Sequence, residues 1–233
     1  MPETGGCLGV DDPPRSRVRV LAVAATVVLV VTATSAGVGV ERVSAREVTV
    51  APSAVRLSDP IADTAALALA LLRRDLAAAG SLSSQYVAAR AELAAQVGER
   101  LWTPAEQFES AWSRADTEHQ IALMGALSQL GVPYKRNSSL PGVGFDCSGL
   151  TTFAWSIAGF QLPRNSTAQI RAAEPRTFET AQAGDLVRYP GHVMMWLGVG
   201  RAIVHSPNPG RFVEIKFLGN YSLKRSKVGD PTE

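Results

Sequence analysis

Phe145-Asp146-Cys147-Ser148-Gly149-Leu150 is the stretch on which the reading of this chain turns. Downstream of it apolar residues fall at Leu150, Phe153, Ala154, Ile157 and Ala158, one face of a 3.6-residue period. That spacing predicts a helix opening at the hexapeptide, and Gly159 stops it. Asp146 and Ser148 are residue types that cap helix N-termini, so Cys147 is expected at or beside the N-cap. Free N–H groups and the positive end of the helix dipole favour thiolate over thiol there. The same N–H groups can stabilise the oxyanion of an acyl-transfer intermediate. Position alone leaves another reading open, since a free cysteine is commonly a small buried hydrophobe.

A thiolate nucleophile needs a base, and the chain holds three histidines, His119, His192 and His205. His192-Val193-Met194-Met195-Trp196-Leu197 and Ala202-Ile203-Val204-His205 both read as strands. Gly198-Val199-Gly200-Arg201 between them has hairpin chemistry. A two- or four-residue loop puts His192 and His205 opposite or diagonal on one face; a three-residue loop puts them on opposite faces. On a shared face, one imidazole can take the thiol proton while the other orients it. Two strand histidines with satisfied hydrogen bonds are the plainer alternative. One cysteine and two histidines are also zinc-ligand types, but they lack the short paired spacing of such sites. His119 falls inside a helical run and reads as a structural or surface histidine.

Around this centre the texture changes at Gly131. Beyond it glycine and proline are frequent and short strand-like runs appear at Asp185–Tyr189, His192–Leu197, Ala202–His205 and Phe212–Phe217. Their short connections favour an antiparallel sheet. Tyr221 to Glu233 is polar and is expected to fray. Before Gly131 the chain is helical. Asp59-Pro60 reads as an N-cap with proline at the first helical position, ahead of an Ala/Leu-rich run from Ala62 to Ala79. Ser81 to Val97 is a second helix, ended by Gly98. Thr103-Pro104-Ala105-Glu106 has the form of a capping box opening a third, through Phe108 and Trp112. A fourth runs from about Thr117 to Leu130. The first two have thin apolar faces, suited either to a hairpin or stalk or to packing support. Helices first and strands second define an α+β protein.

Arg15, Arg17 and Arg19 precede the uncharged segment Val20–Val40, a signal-peptide core or a membrane-spanning helix. Its densest apolar run is Val20–Val31, which suits a cleaved signal, and Thr34-Ser35-Ala36 and Val43-Ser44-Ala45 offer small-residue cleavage sites. In either case everything after Glu41 is expected outside the cytoplasm. Arg42 to Ser58 reads as a linker. Cys7 precedes the apolar segment, so the exported part carries the single thiol Cys147 and no internal disulfide. A net charge of +2 is too weak a bias to point to nucleic acid.

Five motifs occur in a telling order: Phe145-Asp-Cys-Ser-Gly-Leu150, Leu162-Pro-Arg-Asn-Ser166, Gly184-Asp-Leu-Val187, Gly191-His-Val193 through Leu197-Gly198, and Ile203-Val-His-Ser206. In this respect the chain resembles the NlpC-type cell-wall peptidases, papain-like cysteine endopeptidases of bacteria, over roughly Ala115 to Val228. The resemblance implies a papain-like α+β fold with N-terminal helices packed on a small antiparallel sheet. With the N-terminal readings above, it divides the chain into three segments: a signal peptide or anchor at 1–46, a linker and helical region at 47–115, and the peptidase domain at 116–233. Cys147 would be the nucleophile, His192 the general base and His205 the polar third member. Tyr134, in Gly131-Val-Pro-Tyr134, would lie close to the nucleophile. Asp146 and Ser148 would support the site beside it, and Arg164 and Ser166 would stand near the cleft. No metal or organic cofactor is implied.

The family typically cleaves between D-glutamate and diaminopimelate or lysine in peptidoglycan stem peptides. Those peptides are the expected partner, with the membrane added if the N-terminal segment is uncleaved, and with the protein acting as a monomer outside the cytoplasm. Two departures stand out. Arg136, Asn137 and Ser138 follow Tyr134 where an aromatic residue and a glycine pair are common, and Ala183 precedes Gly184-Asp185 where proline is usual. The first borders the cleft and keeps two alternatives in view: an inactive wall-binding module of the same fold, or an amidase or acyltransferase on the same architecture.

Overall fold

The computed structural model of the protein describes residues 56–232. The expected signal or anchor segment, 1–46, lies outside them. Among the described residues no helix is long and apolar enough to cross a membrane.

The Asp59 carboxylate accepts the Ile61 N–H at 3.0 Å and Pro60 opens α1 (Pro60–Ala77), as the Asp-Pro pair indicated. Ser83 caps α2 (Ser84–Leu101), which runs through Gly98 rather than stopping there. Gly98 serves a close approach: a Cβ at this position would lie 2.6 Å from the Thr103 carbonyl oxygen. The helix ends instead at Trp102, whose φ of 51° makes it a left-handed C-cap. In α3 (Ala105–Arg114) the expected capping box does not form, because the Thr103 hydroxyl donates back to the Leu101 carbonyl. Next comes α4 (Thr117–Leu127), buried along almost its whole length, which is the pattern of a core helix.

A small antiparallel pair, β1 (Ser139–Leu140) and β2 (Gly144–Phe145), leads into α5 (Cys147–Ile157) and then α6 (Ser166–Ala172). The remainder is β3 (Glu174–Arg176), β4 (Leu186–Tyr189), β5 (His192–Trp196), β6 (Ala202–His205), β7 (Glu214–Phe217), α7 (Asn220–Leu223) and β8 (Lys227–Asp230). These strands form one antiparallel sheet in the order β3-β8-β4-β5-β6-β7. Helices packed on an antiparallel sheet give the α+β class that the order of elements indicated.

Strand alternation divides the apolar residues between two faces. Leu186, Val193, Met195 and Val204 join one core with Leu123 and Leu127 of α4 and Leu150, Ala154 and Trp155 of α5. Val187, Met194, Trp196 and Ile203 pack on the other side with Leu218 and Val228. The first core continues into the N-terminal helices through Leu72, Leu93, Phe108 and Trp112. The buried Trp112 indole donates to the Leu197 carbonyl at 2.8 Å, tying α3 to the end of β5. α1 and α2 pair with each other, and α1 packs on α4. They therefore share the core of the sheet rather than standing off from it as a stalk.

The C-terminal tail does not fray. β8 enters the sheet between β3 and β4 and carries Asp230 into the interior, where it is 2 % exposed. That carboxylate accepts from the Thr232 N–H at 2.9 Å and hydroxyl at 2.7 Å, and from Arg176 at 3.2 Å; it also stands 3.4 Å from His119 Nε2. Burial alone would raise its pKa. The Thr232 donors, His119 and Arg176 together hold it below the usual carboxylate value. The polarity that suggested fraying belongs to a satisfied buried charge, a pairing formed with residues far away in sequence. Asp230→Ala is expected to destabilise the protein by about 3 kcal/mol, measured by chemical denaturation, because it strips a partner from buried His119 and another from half-buried Arg176. An unchanged midpoint would mean that the tail contributes little.

Candidate active site at the start of helix five

Asp146 is the N-cap of α5 and Cys147 its first residue. The Asp146 carboxylate accepts the Gly149 N–H at 2.7 Å, which leaves the N–H groups of Cys147 and Ser148 without intrahelical acceptors. Gly149 is required by its surroundings: a Cβ there would sit 2.0 Å from the Ser138 carbonyl oxygen. The segment after Tyr134 can thus lie directly on the first turn of the helix. It is bound there by the Asn137 N–H, which donates to Asp146 at 2.8 Å.

Arg164 closes on the same carboxylate with two bonds of 2.9 Å, and its guanidinium also donates to the Ser148 hydroxyl at 2.9 Å. Asp146, Ser148 and Arg164 are therefore one network around the base of Cys147. Ser166 is the first residue of α6, whose N-cap is Asn165. A participant that sequence reasoning missed is Gln169, fully buried on that helix. Its amide nitrogen reaches the Ser148 carbonyl at 3.0 Å, the Thr152 hydroxyl at 3.0 Å and the Pro163 carbonyl at 2.9 Å. Its oxygen accepts from Thr151 at 2.8 Å. A short helix gives little periodicity from which a buried glutamine can be recognised; the one available signal was its place three residues after the Leu162–Ser166 motif.

Tyr134 bridges to Phe145 in the backbone, and its phenol is raised above the usual tyrosine value by burial first, then by Asp146 and Cys147. Tyr189, at the end of β4, is raised by burial and by Cys147. Its ring also stacks near that of His192, with centroids 5.3 Å apart. Both tyrosines lie close enough to Cys147 to feel its charge, and Tyr189 joins that neighbourhood to His192. The Ser206 hydroxyl donates to the Phe145 carbonyl at 2.7 Å, linking the end of β6 to the strand that precedes the cysteine.

Leu197 donates to the Ala202 carbonyl, so four residues, 198–201, close the β5–β6 hairpin. Met195 pairs with Val204, and His192 and His205 fall diagonally on one face. His192 Nε2 and His205 Nδ1 are 2.7 Å apart, and His205 Nε2 is 3.2 Å from a Glu214 carboxylate oxygen. Both rings are buried, at 7 % and 3 % exposure. Each is lowered to about 3, by burial first, then by positive neighbours: His205 and Lys216 act on His192, and Lys216 and Arg211 on His205. Although the His205–Glu214 distance is that of an ion pair, burial keeps the imidazole neutral, and the contact is a neutral N–H meeting a carboxylate. The Cys147 thiol is free and half-buried.

His119 does not join this group. It is fully buried in α4, with Nε2 2.9 Å from Asp185 and its ring edge-on to Trp155. His119, Asp185 and Asp230 are the only cluster of metal-ligand types among the described residues. Their oxygens are already taken: Asp185 also accepts the Gln182 N–H at 2.9 Å, and Asp230 is held by Thr232 and Arg176. The cluster is a clamp between α4 and the sheet.

Cys147 thus opens a helix, and a hydrogen-bonded histidine pair is shared between β5 and β6. Residues 131–227 match the NlpC/P60 family. Peptidoglycan endopeptidase RipB of Mycobacterium tuberculosis is 36% identical over 125 residues, 47% of this chain and 51% of that protein. Murein DD-endopeptidase MepH of Escherichia coli is 31% identical over 120 residues, 47% of this chain and 44% of that protein. The solved structure of RipD from Mycobacterium tuberculosis, a non-catalytic NlpC/p60 domain protein, is similar at 23% identity, with a TM-score of 0.41 over 49% of this chain and 98% of that one. The chain spans between about a quarter and a half of the length of the curated relatives it matches.

The depressed histidine pair makes stability pH-dependent. The free value is 6.5 and the folded value about 3, so between them the unfolded chain binds more protons than the folded one. The stabilisation is complete above about pH 6.5 and is lost as pH falls towards 3. Melting temperature is expected to drop on acidification through this window, and to drop less steeply in His205→Gln. An equal slope in that variant would assign the acid limb to carboxylates instead.

Proposed function

We propose that the protein is an extracytoplasmic peptidoglycan endopeptidase that hydrolyses a stem-peptide bond of the D-glutamyl–diaminopimelate type. Cys147 is the nucleophile, His192 its general base and His205 the group that orients His192. The observation that carries the reading is the 2.7 Å contact between two buried, neutral histidines within the NlpC/P60 stretch. Relatives named as peptidoglycan and murein endopeptidases supply the substrate class.

In this reading substrate closes the gap between thiol and imidazole. The thiol proton passes to His192 as sulfur attacks the scissile carbonyl. The N–H groups of Cys147 and Ser148, backed by the helix dipole, receive the oxyanion. His192 then returns the proton to the leaving amine, and water hydrolyses the thioester by the same relay. Asp146 and Arg164 hold the first turn of α5 in place, with Ser148 bound to both. Tyr134 and Ser166 border the cleft. Arg136 and Arg171 are exposed and suit the carboxylates of a stem peptide. Acyl transfer through a thiol needs no metal or organic cofactor, and no nucleic-acid partner follows from so small a net charge. We further assign 116–233 as the peptidase domain, 47–115 as a linker and helical region, and 1–46 as a signal or membrane anchor of a monomeric protein.

The segment Arg136-Asn137-Ser138 favours a second reading, a wall-binding module without turnover, because it forms the border of the cleft and departs from the family pattern there. Digestion of purified peptidoglycan separates the two. The full chain is expected to release muropeptides whose masses name the bond, and Cys147→Ala to release none while keeping the wild-type melting temperature. Release by Cys147→Ala would remove the nucleophile assignment, and binding without release by the wild type would favour the module.

A further inference from the structure

Glu214 lies directly opposite His205 in the β6–β7 register, with one carboxylate oxygen 3.2 Å from His205 Nε2. Its other oxygen is held by the Arg211 guanidinium. Neither partner was singled out by the sequence, and neither touches the cysteine. Their effect follows from counting protons. A carboxylate bound to a guanidinium offers acceptors only, so His205 Nε2 has to donate. A neutral imidazole has one N–H, so His205 Nδ1 is then an acceptor. The atom 2.7 Å from it, His192 Nε2, has to be the donor. His192 is left with its lone pair on Nδ1, the nitrogen not engaged by His205.

We propose that Glu214, held by Arg211, is a positioning residue that sets the tautomers of both histidines and so leaves His192 Nδ1 as the basic nitrogen of the site. The use of that nitrogen towards Cys147 rests on the endopeptidase reading; the tautomers themselves do not. When His192 Nδ1 takes the thiol proton, the ring becomes an imidazolium that still donates through Nε2 to His205. His205 in turn still donates to the Glu214 carboxylate, so the chain of donors keeps its direction while positive charge is present. Nδ1–H later protonates the leaving amine, and the resting tautomers return without any proton having passed beyond His192. Lys216 disfavours charge on both rings and Arg211 on that of His205, while the Glu214 carboxylate lies 3.2 Å from His205 Nε2.

In E214Q the Arg211 guanidinium, a donor only, takes the amide oxygen and turns the amide NH2 towards His205 Nε2. Every donor in the chain then reverses, and the proton of His192 moves to Nδ1. Long-range nitrogen–proton spectra of the imidazoles read this directly. The wild-type full chain is expected to show both histidines protonated at Nε2, and E214Q to show both protonated at Nδ1. Alkylation of Cys147 by iodoacetamide at pH 7 is expected to slow about tenfold, and kcat on a soluble stem peptide to fall about a hundredfold with KM little changed. E214A, which removes the acceptor without imposing a donor, is expected to give mixed tautomers and an intermediate alkylation rate.

Wild-type rings protonated at Nδ1 would overturn the proposal, and so would unchanged tautomers in E214Q, even with activity lost, since that would leave Glu214 a structural role. A tautomer swap in a protein that releases no muropeptides would sustain it while sinking the endopeptidase reading.

Discussion

Five donors converge on the Asp146 carboxylate: the N–H groups of Asn137 and Gly149, the Ser148 hydroxyl, and two nitrogens of Arg164. A carboxylate taken out of water needs compensation of this kind, and here all of it comes from groups that have to be in fixed places. One donor starts α5, one anchors the segment after Tyr134, and the guanidinium brings in the approach to α6. The position of Cys147 is a by-product of this arrangement. Because it is the first residue of the helix, satisfying Asp146 orients the backbone of the cysteine before its own side chain makes any contact.

The sheet has a similar economy. The four-residue turn of the β5–β6 hairpin sets the parity that brings the two histidines onto one face, and the β6–β7 pairing adds Glu214 opposite the second. His119 shows how different a histidine can be in the same protein. Surrounded by Asp185 and Asp230, it holds a helix to the sheet, whereas His192 meets His205 and His205 in turn meets a single carboxylate, Glu214.

Features written in local chemistry were legible in the sequence. Asp59-Pro60, the cap at Asp146, the face of α5 and the hairpin glycines all act within a few residues, and each did what its residue types dictate. The motif order pointed to the family for a related reason, since each motif is a short local stretch of chain. What stayed hidden depends on partners distant along the chain. Gly98 looks like a stop until Thr103 and Ala105 are seen packed against it. Asp230 looks like tail polarity until His119 arrives from α4, more than a hundred residues earlier. Gln169 and Glu214 are ordinary surface residue types, and only the fold makes one a buried tie and the other a neighbour of His205.

The place of β8 in the sheet also bears on how the molecule is made. β3 has no strand neighbour other than β8, and β4 meets β8 on the side away from β5. Until β8 is available there is a gap in the sheet one strand wide, and among the described residues β3 has no strand to pair with. The β4–β5–β6–β7 meander can form early from neighbouring segments, whereas closure waits for β8 to enter the gap. A chain emerging N-terminus first, from a ribosome or through a membrane pore, therefore acquires its histidine pair before its sheet is sealed. Commitment to the finished fold belongs to β8.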